Sequence, residues 1–202
     1  MLVYASRLTG TPVLSMQSAS RIGQIYSPIV DPDTLTIIAF YLIGHQISRD
    51  TNILDTKSIR EYSRYGMVID SIDELVSKTD VVKISKIIDL NFSLPGLKVE
   101  TKKGSKLGRI ADYTISSEDY ILQQIIVKRP IFKSFLDSEL IIPRKEIIEV
   151  TNEKIIVKDE EKVIRERAAN EDFIPNFVNP FRKTEPVRSP AHTKTLADKD
   201  TE

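Results

Sequence analysis

Apolar positions in this chain fall in short runs rich in isoleucine and valine and broken by turn residues, a pattern of strands rather than long helices. One run is Ile22-Gly23-Gln24-Ile25-Tyr26, followed by Ile29-Val30, the turn Asp31-Pro32-Asp33 and a strand from Leu35 to Leu42. Further on, Val99-Glu100-Thr101 leads through Lys103-Gly104 to Leu107-Gly108-Arg109-Ile110 and Thr114-Ile115. The polar turn Ser116-Ser117-Glu118-Asp119 then precedes a strand from Tyr120 to Val127.

The two stretches overlay without a gap. Ser20 meets Ser105, Gly23 meets Gly108, Ile25 meets Ile110, Ile37 meets Leu122, Phe40 meets Ile125 and Leu42 meets Val127. After a loop that is three residues longer in the second copy, Ile53-Leu54-Asp55 pairs with Ile141-Ile142-Pro143 and Ile59 with Ile147. Met67-Val68-Ile69 then pairs with Ile155-Ile156-Val157. Identities are few, and chance similarity between hairpins is the competing reading; agreement in run order, turn positions and the glycine favours a tandem repeat. Each unit reads as a strand, a tight turn, a long hairpin, a variable loop, a short strand, an irregular turn and a last strand. Such short strands must wrap to protect their edges, and a mid-strand glycine marks a bulge or close backbone approach.

Between the units, Ser71 and Glu74 have capping-box spacing, which predicts a short helix over about residues 72–77. The segment Val81-Val82-Lys83-Ile84-Ser85-Lys86-Ile87-Ile88 is too apolar for a free linker and is expected to pack on or between the units. Residues 162–170 suit a brief helical extension. From Pro175 onward prolines, charges and small polar residues predominate, so the C-terminus from about residue 171 reads as a disordered tail.

The pattern V-E-T-K-K-G-S-K-L-G-R-I-A-D-Y-T-I-S at 99–116, a hydrophobic strand, and L-I-I-P-R-K-E-I-I-E-V at 140–150 resemble the PRC-barrel family. The resemblance covers most of residues 8–160. The first copy is the more diverged, with Ala19 where Gly104 stands and Asp55 where Pro143 stands. It implies a mainly β chain of two tandem small PRC-like β-barrels, with a short linking helix and a disordered tail. The domains would be residues 1–84 with the linking helix, 85–160, and a C-terminal 161–202. Family members include the cytoplasmic domain of the photosynthetic reaction-centre H subunit and the C-terminal domain of a ribosome maturation factor. Both are docking or assembly modules, and neither supplies a catalytic motif to carry over.

Composition narrows the partner only slightly. Lysine plus arginine equals aspartate plus glutamate, 29 each, so no global field draws the chain to nucleic acid or a membrane surface. The absence of cysteine removes thiolate chemistry and disulfides and suits a reducing compartment. Residues 1–7 lack the pattern of a signal peptide. The apolar stretch 35–43 is about half the roughly 20 residues of a spanning helix. A cytoplasmic location without membrane insertion is the expectation.

Candidate chemistry is sparse. The histidines are His45, in the loop after Gly44, and His192, in the tail. Asp31 and Asp33 flank Pro32, where turn geometry accounts for them. Phosphate-loop, dinucleotide and nucleophile-elbow motifs do not occur, and no cofactor or metal is implied. The one dense feature is a basic hairpin: Lys98, Lys102, Lys103, Lys106 and Arg109, with Glu100 the only acid among them. If Lys128, Arg129 and Lys133 share its end of the unit, a patch forms that can meet phosphates or an acidic protein. The competing reading is a solvated hairpin whose lysines prevent edge-to-edge pairing. Phe132 and Phe135 either cap a barrel end or offer a partner surface. The tail aromatics, including Phe177 and Phe181, either form a short linear motif or fold back onto the chain. The expected function is non-catalytic docking of an unidentified protein partner, with an RNA- or ribosome-associated role as the alternative.

Overall fold

The computed structural model describes residues 1–129 and 139–159. They form two seven-stranded sheets and one α-helix. The first sheet contains β2 (Pro12–Ser15), β3 (Ser20–Asp31), β4 (Thr36–Ile43), β5 (Thr51–Asp55), β6 (Glu61–Ser63), β7 (Gly66–Ile69) and β8 (Leu75–Ser77), in the order β6-β7-β2-β3-β4-β5-β8. The second contains β9 (Lys98–Thr101), β10 (Lys106–Ser116), β11 (Leu122–Lys128), β12 (Glu139–Pro143), β13 (Ile147–Val150) and β14 (Lys154–Val157), in the order β12-β11-β10-β9-β14-β13. Its seventh strand is β1 (Leu2–Tyr4), from the far end of the chain, which pairs antiparallel with β10 through Leu2↔Ser116 and Tyr4↔Thr114.

Leaving aside β1 and β8, the two strand orders are the same, and so is the register. Ile25↔Leu42 and Pro28↔Phe40 in the first hairpin correspond to Ile110↔Val127 and Tyr113↔Ile125 in the second. Both hairpins slip at matching places, between Ile25/Ser27 and Ile110/Asp112 and again between Ile29/Val30 and Thr114/Ile115. In both, the last strand returns parallel to the first, β7 beside β2 and β14 beside β9. The overlay read from the apolar pattern is therefore the overlay that the hydrogen bonds draw.

The sheets meet through a reciprocal contact. The Leu122 amide donates to the Leu35 carbonyl at 2.9 Å, the Ile37 amide donates to the Tyr120 carbonyl at 3.0 Å, and Thr36 bridges Ile121. Leu35 and Tyr120 are equivalent in the overlay, as are Ile37 and Leu122, and Thr36 and Ile121. Each bond is thus returned with partners exchanged, the mark of a local two-fold arrangement. Leu35 and Tyr120 both have positive φ, 51° and 57°. Phe40 packs edge-on to Tyr120 with centroids 5.8 Å apart. One apolar cluster runs through both sheets, from Leu8, Ile25 and Phe40 to Ile110, Tyr113 and Ile142.

The linking segment differs from the expectation in one respect. Ser71 does cap, but its hydroxyl accepts from the Asp73 amide at 3.0 Å and starts only a 3-10 turn, Ile72–Glu74. Leu75–Ser77, expected to be helical, is strand β8 on the edge of β5, because pairing that edge satisfies more backbone than a lone helical turn could. The α-helix is α1 (Val82–Asp89), inside the apolar linker. It buries Ile84 against Ile29, Ala39 and Ile53 and so covers the outer face of the first sheet. The expected helix and tail beyond Asp159 lie outside the described residues.

Candidate functional site

In the second sheet one line of directly paired residues crosses five strands. Lys154 lies beside Lys98, Lys98 opposite Arg109, Arg109 opposite Lys128, and Lys128 opposite Glu139. Pairing puts these side chains on one face, and burial shows which: Lys98, Arg109 and Lys128 are exposed, while their chain neighbours Val99, Ile110 and Val127 are buried. With strands about 4.8 Å apart, the four cations span roughly 14 Å of outer surface.

The next line holds Ile156, Glu100 and Lys106. Lys154 Nζ lies 2.9 Å from Glu100 Oε2. That hydrogen bond holds the Glu100 carboxyl below the ordinary glutamate range; the charges of Lys154, Lys106 and Lys98 add to it and burial opposes it. The same bond raises Lys154. Arg109 Nη1 donates to the Gly96 carbonyl at 2.8 Å, which ties its guanidinium to the sheet. Lys98 and Lys128 have no ion pair with a described residue.

At the turn of the hairpin, Lys102 and Lys103 are exposed just before the chain reversal at Gly104, whose φ is +85°. Lys103 Nζ stands 3.7 Å from Asp159, so part of its charge is met within the chain. Lys158, close by, sits 3.3 Å from the buried carboxylate of Glu146.

The glycine singled out in the sequence makes this surface. A Cβ on Gly108 would lie 2.1 Å from the Lys128 carbonyl oxygen, and its φ is +149°. Only glycine lets β10 come so close to the end of β11, and that approach sets Arg109 beside Lys128. Gly23 has the matching role, its Cβ position 2.6 Å from the Ile43 carbonyl.

The first sheet supplies a comparison within the molecule. Where the second has Lys98, Arg109 and Lys128, the first has Pro12, Gln24 and Ile43, also paired in line. Gly66, beside Pro12, takes the place of Lys154. Arg21, the counterpart of Lys106, bonds back to its own strand at the Gly23 carbonyl and to Gln24.

Of the residues proposed from sequence, the structure thus brings Lys98, Lys106 and Arg109 onto one face and joins Lys128 to them, with Lys102 and Lys103 at its end. Phe132, Phe135, Phe177 and Phe181, and Lys133 with them, lie outside the described residues. Lys154 was missed. It is far away in sequence and arrives only through the parallel pairing of β14 with β9. His45 is exposed beside Arg21 and Gln24 in an open groove. Asp31 accepts from the Asp33 amide at 3.0 Å, the turn role expected of it. Among the described residues no group of three or more acidic or histidine side chains could hold a metal ion, and no helix is long and apolar enough to cross a membrane. No protein-family model and no curated protein matches the chain.

Proposed function

We propose that the chain is a non-catalytic docking module of two PRC-barrel-like units, the second of which holds a protein partner. The carrying observation is the line Lys154, Lys98, Arg109 and Lys128, present in one copy of a repeat whose other copy keeps the strand order and register without it. Cations that the fold itself required would recur in both copies. The return of each last strand to the side of the first is the connectivity a small wrapped sheet needs, and it supports the barrel reading. A reducing, cytoplasmic setting belongs to the same reading and agrees with the absence of cysteine.

The test is affinity capture by the full chain from its native cells. The wild type is compared with Lys98→Glu/Arg109→Glu/Lys128→Glu and with the matched change in the first unit, Gln24→Glu/Ile43→Glu. A specific partner kept by the control and lost by the triple variant is expected. A partner that survives the triple variant refutes the reading. The RNA- or ribosome-associated role draws on the same cations; capture abolished by nuclease would favour it.

A further inference from the structure

We infer that the outer face of the second sheet takes an acidic, extended segment of a partner protein. The inference rests on the docking reading above and adds the chemistry of the occupant. Four cations stand in line across β14, β9, β10 and β11, and their sign sets the complement. An extended strand repeats a side chain on one face about every 6.8 Å, so two or three carboxylates match a row roughly 14 Å long.

Three observations favour polypeptide over nucleic acid. First, the row is not uniformly positive: Glu139 stands opposite Lys128, and Glu100 lies one line away, fixed by Lys154 at 2.9 Å. A continuous phosphate chain would be repelled by both, whereas a polypeptide can place neutral or basic residues there. Second, single strands are held by bases stacked on aromatic rings. Among the described residues the exposed rings are Tyr4, Tyr26 and Tyr65, and none of them is in the row. Third, the chain carries no net charge to draw a polyanion from a distance, so recognition depends on local pairing.

The test uses fluorescence anisotropy on the full chain. The probes are a short labelled peptide of alternating glutamate and threonine and an oligouridine RNA of matched charge. The peptide is expected to bind at low salt, to weaken as salt rises, and to lose about tenfold or more in affinity in Lys98→Glu/Arg109→Glu/Lys128→Glu. Gln24→Glu/Ile43→Glu should leave it unchanged, and RNA should bind more weakly. Thermal melts confirm that each variant folds, and Lys98→Gln/Lys128→Gln gives a milder version of the same loss. Tighter binding of RNA than of the peptide overturns the inference, and so does peptide binding that is absent or indifferent to the triple variant. The capture experiment judges the docking reading separately, so a module that docks something other than an acidic segment would be recognised as such.

Discussion

Single residues are best judged against their counterparts in the other unit. Ala19 has φ 48°, while its counterpart Gly104 sits at φ +85°. A left-handed alanine costs about 1 kcal/mol that glycine does not, so Ala19→Gly should raise stability by somewhat less than that in urea unfolding. Gly108→Ala should do the opposite and cost about 2–4 kcal/mol, because its Cβ meets backbone that cannot swing aside. Thr114 has a buried hydroxyl without a hydrogen-bond partner, and its counterpart is Ile29. Thr114→Val should therefore stabilise the fold by about 1 kcal/mol in the same measurement. Glu100 gives a pH signature. Its carboxyl is held low in the folded protein, so its contribution to stability is present above the ordinary glutamate range and fades as pH falls through the lowered value. Wild type should melt above Glu100→Gln at neutral pH, with the gap closing in acid.

Among the elements, β1 and α1 show how each unit relies on chain from outside its own strand set. β1 completes β10 and brings the buried residues Val3, Ala5 and Leu8 with it. Removing residues 1–4 should speed amide exchange at Ser117, whose amide donates to the Met1 carbonyl, and at Ile115, which pairs with Val3, and leave Ile29 and Val30 in β3 unchanged. Helix α1 serves the first sheet by covering its outer face. Ile84 is 2% exposed there, so Ile84→Ala should cost about 2–4 kcal/mol. The basic row lies on the corresponding outer side of the second sheet, where Lys98, Arg109 and Lys128 are exposed.

For the molecule as a whole, the two-fold contact around Thr36 and Ile121 and the shared apolar cluster make the units interdependent. Expressed separately and divided after α1, residues 1–90 and 91–202 each lose part of that cluster, and the second piece also loses β1. Each should be poorly folded alone and recover cooperative unfolding on mixing, as read by circular dichroism and size-exclusion chromatography. Two pieces that each melt cooperatively without the other would contradict this.

The strands, the repeat and its register were legible in the sequence because a strand's apolar period is local and a shift of one residue would turn every side chain to the wrong face. The glycines were legible too, since glycine in mid-strand has few other uses. The basic hairpin was visible for the same reason of nearness: Lys98, Lys106 and Arg109 are close neighbours along the chain. The location of the helix was not. Both Ile72–Ser77 and Val81–Ile88 could have formed one, and the open edge of β5 decided between them. Nor could local pattern show that β1 joins the distant sheet, that Lys154 completes the cationic row, or that the units face each other across a two-fold. Those are pairings between residues far apart in the chain, chosen by which edges and faces remain to be covered once the local strands have formed.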